Sequence, residues 1–253
     1  MTKEPVAGIV VAMPEERKAL LEKAETNARR TLEGVPLYEG SISGKMFCLL
    51  ESGMGEVNAA RAANLLLNTL NPSILISAGF CGAVRKEAKV ADLVICSNVS
   101  LFDRDGLHEV VVTGGRQVAA RLAAALTGLG VSAWPGSFIT TATIAGKREI
   151  SAMLPDEMRT PVLEMESAAV ASAAYSAGIP FIGIRSVSDP WDEELDFTID
   201  ELTDEKMRIS IAKVMGACIR KPRIIPQLAR LASNSGRAGK TLGRGVSLIM
   251  PML

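Results

Sequence analysis

Three acidic segments carry the side chains of this sequence that are suited to chemistry: Glu15-Glu16, Glu164-Met165-Glu166 and Ser188-Asp189. Each follows an apolar run. On an extended segment alternate side chains share a face, so Glu164 and Glu166 point one way and Met165 the other, unless the chain turns there. Such a pair suits acid, base or hydroxyl-binding work; ahead of an Ala/Ser-rich helix it equally suits dipole compensation. Asp189 closes the run Phe181-Ile-Gly-Ile-Arg-Ser-Val. Desolvation at a buried strand end raises a carboxyl toward a useful acid, while an Asp before Pro190 also fits a turn or a helix cap. Glu15 and Glu16 behind Pro14 read as first-turn acids of a helix. Ser52-Gly53-Met54-Gly55 and Gly79-Phe80-Cys81-Gly82 read as glycine turns whose N–H groups could hold an anion, though neither is a dinucleotide fingerprint or a P-loop. The single histidine, His108, sits in a polar loop and reads as a surface residue. One histidine excludes a multi-histidine zinc site and a Ser-His-Asp triad on any other histidine.

The elements that must position these groups alternate. Strands are predicted at about 7–12, 37–38, 47–50, 74–77, 92–97, 138–141, 162–165 and 181–187. Helices are predicted after Pro14 and at about 56–70, 117–129, 147–153, 167–177 and 203–218. Strand–helix alternation at this spacing predicts a mostly parallel α/β sheet with helices on both faces, whose functional groups gather at strand carboxyl ends. The chain has 253 residues, 48% of them hydrophobic, enough for a full core. Four scattered cysteines form no disulfide framework and predict a reduced, cytoplasmic setting. The apolar run at the N-terminus is short and reads as a strand rather than a signal peptide.

The order of the segments is more specific than any one of them. Ala12-Met13-Pro14-Glu15-Glu16, Ser52-Gly53-Met54-Gly55-Glu56-Val57-Asn58, Ala78-Gly79-Phe80-Cys81-Gly82, Asp92-Leu93-Val94, Leu163-Glu164-Met165-Glu166-Ser167 and Arg185-Ser186-Val187-Ser188-Asp189 follow one another. This series resembles the purine nucleoside phosphorylase/uridine phosphorylase superfamily, and within it the methylthioadenosine/S-adenosylhomocysteine nucleosidases. The resemblance covers about 6–220. It implies a single three-layer αβα domain with a mixed central sheet, no cofactor or metal, a purine nucleoside as substrate and a homo-oligomer. It also implies roles: Glu16 activates water, Glu166 holds the ribose hydroxyls with Met165 on the sugar, Asp189 protonates N7 of the purine, and Ser188 positions Asp189. Glu164, Gly79, Phe80 and Phe197 are expected around the substrate. Position 77, where related phosphorylases carry a phosphate-binding arginine, is serine. A phosphate dianion would lose a bidentate partner there, and Glu15/Glu16 would repel it, so hydrolysis is expected over phosphorolysis. Arg17 and the Cys81-Gly82-Ala83 segment favour the phosphorylase. Ile144 stands where the nucleosidases stack a phenylalanine on adenine, and an aliphatic side chain cannot stack as a ring does; Trp191 offers another face.

Net charge is zero, from 28 basic and 28 acidic residues, but all the acids lie before 206 and ten of the basic residues lie after 205. We therefore divide the chain into a catalytic domain, 1–221, and a basic, partly amphipathic extension, 222–253. Its start is similar to the ends of hopanoid-associated phosphorylase-like proteins, which implies an adenosyl-lipid substrate. A basic amphipathic segment suits an anionic membrane surface, here the inner face, or the protein's own acidic body. Nucleic-acid binding is not expected, because the extension has no aromatic residue for base stacking.

Overall fold

The computed structural model describes residues 6–253 apart from 113–114, 144–145, 194–195, 199–200 and 205–208. Its strands are β1 (Ala7–Val11), β2 (Glu25–Leu32), β3 (Val35–Ile42), β4 (Lys45–Glu51), β5 (Ile74–Ala83), β6 (Leu93–Asp103), β7 (Gly106–Val110), β8 (Ala133–Thr141), β9 (Val162–Glu164) and β10 (Phe181–Asp189). Its helices are α1 (Pro14–Leu21), α2 (Glu56–Leu70), α3 (Gly115–Gly128), α4 (Lys147–Met153), α5 (Ser167–Ser176), α6 (Ile211–Arg220) and α7 (Ile225–Ile249).

All ten strands belong to one sheet of order β10-β6-β8-β9-β5-β1-β4-β3-β2, with β7 on β6 and a further pairing of β10 with β5. That last pairing closes β10, β6, β8, β9 and β5 into a ring. The sheet is mixed: β1/β4, β1/β5, β5/β10, β6/β8 and β8/β9 run parallel, and the other pairs antiparallel. The alternation of β1 sorts its side chains between two cores. Val10 joins α2 and α5 on one face; Ile9 and Val11 join α1, α3 and α7 on the other. These are the three layers that the resemblance implied.

Two strands were not legible as such. β2, ETNARRTL, carries little apolar alternation because it forms the outer edge of the sheet against β3 alone. β7 pairs only with β6 and is largely exposed. The segment 79–82 is not a turn: Gly79 to Gly82 continue β5, in register with Arg185 to Asp189 of β10. The helix expected from about 203 begins at 211 instead. Thr203 pairs with Ile209 in an isolated antiparallel bridge, and the Ser210 hydroxyl then caps α6 by accepting from Lys213 N.

Residues 222–253 pack as part of the same domain. After a 3-10 turn at Pro222–Ile224, α7 lays Ala238, Leu242, Val246 and Ile249 into the core shared with α1, α3 and β10. Leu242, Val246 and Ile249 are fully buried; at about 1.5–3 kcal/mol each they hold this half of α7 against the body rather than offering it to a membrane. A Cβ on Gly243 would overlap the Ala19 carbonyl oxygen, so this glycine serves a close crossing of α7 with α1. No described helix is long and apolar enough to cross a membrane.

Candidate active site

The acidic residues converge on one cavity of about 1050 Å3 at the carboxyl ends of β1, β5, β9 and β10. Glu16 reaches it from the first turn of α1 and is 3% exposed. Its Oε2 accepts hydrogen bonds from Ala12 N at 2.8 Å and Met13 N at 2.9 Å, and its Oε1 from Phe80 N at 2.7 Å. A Cβ on Gly79 would overlap Glu16 Oε1. Gly79 therefore acts by leaving room for this carboxylate and does not line the cavity. Burial raises the Glu16 carboxyl above its ordinary value, and Arg185 with the three backbone donors offsets only part of that.

Glu164, at the end of β9, is buried. Its Oε2 accepts from Arg185 Nη2 at 2.6 Å, Ser167 N at 2.8 Å and Glu166 N at 3.1 Å, and its Oε1 from the Thr140 hydroxyl. Burial alone would raise it, but the Arg185 guanidinium and these donors outweigh burial and hold it below the usual range. Both its oxygens hold internal donors, and Glu164 also lines the cavity. Arg185 is 1% exposed and joins Glu164 to Ser77 Oγ at 2.9 Å, Ser167 Oγ at 3.1 Å and Glu166 Oε2 at 3.5 Å.

Glu166 bridges that knot and the turn before α2. Its Oε1 accepts from Gly55 N at 2.9 Å. Burial, and the Glu164 charge beside it, push its carboxyl up to about 7. Met165 lies next to it on the cavity wall with Met54 and Phe80. The N–H groups expected to hold an outside anion thus hold the protein's own carboxylates, Phe80 N on Glu16 and Gly55 N on Glu166.

Asp189 ends β10 beside an irregularity in its pairing with β5. Its Oδ2 lies 2.8 Å from Lys147 Nζ, and Lys147 also donates to the carbonyls of Pro190 and Glu193. The Ser188 hydroxyl donates to the Cys81 carbonyl at 3.4 Å, and the Lys147 ammonium is a side-chain partner of Asp189. Ser188 and Phe197 line the cavity. Ile144 falls outside the described residues. Trp191 is half-exposed and does not line the cavity. Arg17 is held by Glu51 at 2.8 Å and the Tyr38 hydroxyl, away from the cavity. His108 is exposed and pairs with Asp103.

Away from the carboxylates one wall of the cavity is apolar, beside the polar lining residues Glu201, Lys221, Ser235 and Lys240. Phe197, Leu202, Val214, Leu228, Leu231 and Ala232 form its outer wall, which is contributed by the segment before α6, by α6 and by the first half of α7. Small-molecule pockets run to about 300–1000 Å3, so this one has space beyond a nucleoside. Lys147, Arg185 and Thr140 were not singled out from sequence. The available signal was an arginine inside an otherwise apolar strand run and a lysine opening a helix directly after Gly146.

The family model described as the phosphorylase superfamily matches residues 6–220. A 5′-methylthioadenosine/S-adenosylhomocysteine nucleosidase of Exiguobacterium sp. is 29% identical over 227 residues, 85% of this chain and 97% of that protein. Among solved structures, futalosine hydrolase of Helicobacter pylori aligns with a TM-score of 0.75 at 17% identity, covering 98% of both chains. The 5′-methylthioadenosine/S-adenosylhomocysteine nucleosidase of Neisseria meningitidis, in complex with methylthio-immucillin-A, gives 0.73 at 21% identity, covering 98% of this chain and 99% of the other. At these identities the structural likeness is one of fold, and at this coverage it runs through α7.

Proposed function

From a chain that belongs to the phosphorylase superfamily, we propose an enzyme that hydrolyses the N-glycosidic bond of an adenosyl-type purine nucleoside. One observation carries the choice of water over phosphate. The backbone donors beside the sugar subsite are already taken by Glu16 and Glu166, while position 77 is a serine bound to Arg185 and Arg17 is held by Glu51. A dianion entering there would meet carboxylates instead of a bidentate cation.

The residues divide the work. Asp189 takes up a proton before the step; as the C1′–N9 bond breaks and its electron pair passes to the purine, Asp189 delivers that proton to N7. Glu16 takes a proton from the water whose oxygen bonds to C1′. Burial raises its carboxyl, which makes the carboxylate a stronger base than an exposed one. Glu166 accepts from the ribose hydroxyls, Met165 packs on the sugar, and the positive charge that develops there sits among carboxylates. Glu164 and Arg185 hold Glu166 in place. The products are free sugar and free base.

The apolar outer wall of the cavity favours a refinement: the 5′ substituent is long and apolar, as in an adenosyl-lipid. Leu228, Leu231 and Ala232 give it no polar partner to satisfy. A homo-oligomer belongs to the same proposal, supported by exposed Val57 on α2 and Tyr175 on α5, two helices that pack side by side.

Base release from adenosine, inosine, 5′-methylthioadenosine and a long-chain 5′-alkylthioadenosine, each with and without phosphate, tests this reading. Full-rate release from the adenosyl substrates in phosphate-free buffer supports it. Release that requires phosphate overturns it.

A further inference from the structure

The chain that follows Asp189 is held from two sides. On one side stands Lys147, whose Nζ lies 2.8 Å from Asp189 Oδ2. The same ammonium donates to the backbone carbonyls of Pro190 and Glu193, the latter at 3.0 Å. Glu193 N donates to the Pro190 carbonyl at 3.4 Å, so both carbonyls belong to one turn directly after the aspartate. An ammonium is a rotor with three N–H donors. The carbonyls of this turn therefore help to set where the hydrogen that meets Asp189 points.

On the other side stands α7. Arg230 donates to Glu193 Oε1 from Nη2 at 2.6 Å and from Nε at 3.0 Å. One turn earlier, Gln227 and Asp196 form a reciprocal pair: Gln227 Oε1 accepts from Asp196 N at 3.2 Å, and Gln227 Nε2 donates to Asp196 Oδ2 at 3.0 Å. The far half of the same helix is fixed in the core by Leu242, Val246 and Ile249, so Arg230 reaches Glu193 from a rigid support. Neither Arg230 nor Glu193 lines the cavity. The contacts nevertheless run from α7 through Arg230, Glu193 and Lys147 to the carboxyl of Asp189.

We propose that Arg230 and Glu193 are positioning residues for the general acid. Arg230 holds the Glu193 side chain, the Glu193 carbonyl orients the Lys147 ammonium, and the ammonium fixes the Asp189 carboxyl for transfer to N7. The inference rests on the reading of Asp189 as that acid. It gives the first half of α7 a part in the reaction. A displacement of about 1 Å, caused far from the chemistry, can cost about 10²-fold in rate. An exposed ion pair contributes little to stability, and Arg230 is 57% exposed. Positioning therefore shows itself in rate and not in folding.

Base release from 5′-methylthioadenosine by the full chain tests it, with Tm measured alongside. Arg230→Ala is expected to lower kcat by about 10–100-fold, with KM and Tm little changed, and Arg230→Lys to recover most of the rate. In a Lys147→Met background Arg230→Ala is expected to lower kcat no further, because its effect runs through Lys147. Independent scaffold contacts would instead give losses that multiply. Arg230→Ala with Glu193→Ala is likewise expected to cost no more than either alone, in a cycle that keeps Lys147. Wild-type kcat in Arg230→Ala, or losses that multiply in either cycle, overturns the proposal. Asp189→Asn separates it from the catalytic reading. If that change costs about 10²-fold or more while Arg230→Ala costs nothing, the general acid stands and its positioning by α7 falls. If Asp189→Asn keeps the wild-type rate, or the wild type releases no base from any purine nucleoside, both fall.

Discussion

Lys147 Nζ lies 2.8 Å from Asp189 Oδ2, with only 5% and 13% of the two side chains exposed. The lysine opens α4 and the aspartate closes β10, so the pair ties the helix to the strand end where the purine is to bind. Removing one partner of a buried ion pair costs about 3–5 kcal/mol. Lys147→Met is therefore expected to lower thermal stability and to reduce kcat/KM at least tenfold. Asp189→Asn is expected to remove about 10²–10⁴-fold of the rate with a smaller effect on stability, because an amide can still accept from the ammonium. Equal losses of rate and stability in both variants would place the pair in the scaffold alone.

The pH dependence of stability follows from Glu166. Its carboxyl ionises at about 7 in the folded protein against an ordinary 4.5. A raised folded value means that the stability it contributes is complete below about 4.5 and is lost as pH rises through about 7. Glu166→Gln removes that loss. The difference in Tm, variant minus wild type, is expected to be more favourable at pH 8 than at pH 5. A difference that stays constant across this range contradicts the burial of Glu166 beside the Glu164 charge.

The glycines of α7 separate packing from propensity. Gly243→Ala drives a Cβ into the Ala19 carbonyl and is expected to destabilise by about 1–3 kcal/mol. Gly236→Ala, seven residues earlier on the same helix, meets nothing within 4 Å and is expected to stabilise by about 0.4–1 kcal/mol. Urea midpoints of the two variants check both signs.

The contrast in α7 also shows where sequence reading stopped. Segments with a repeating apolar pattern were legible, and Lys147–Met153 and the start of α5 at Ser167 were expected at those positions. The carboxylates were legible because their order matched a family. Glu164 and Glu166 look equivalent in sequence, but the buried Arg185 and nearby donors make Glu164 a fixed anion, while burial and the Glu164 charge make Glu166 a raised acid. For the last segment, sequence left open a membrane surface or the protein's own body, and the structure packs the second half of the helix on the body. What makes it core is a row of small residues fitted against α1, which no single-strand or single-helix pattern reveals.

The outer cavity wall is tested by filling it. Leu231→Trp narrows the cavity along its apolar wall without touching the carboxylates. KM for a long-chain 5′-alkylthioadenosine is expected to rise at least tenfold, since each lost buried methylene is worth about 0.8 kcal/mol, while KM for 5′-methylthioadenosine stays within about twofold. Equal effects on both substrates would contradict the path assigned to the 5′ substituent.

The central claim is that a carboxylate-held water, and not phosphate, attacks C1′. Phosphorus NMR of the reaction in phosphate buffer, run to complete base release from 5′-methylthioadenosine, tests it most directly. The account predicts free base, a free reducing sugar and no phosphorus signal other than inorganic phosphate. A sugar 1-phosphate formed in proportion to the released base would contradict it.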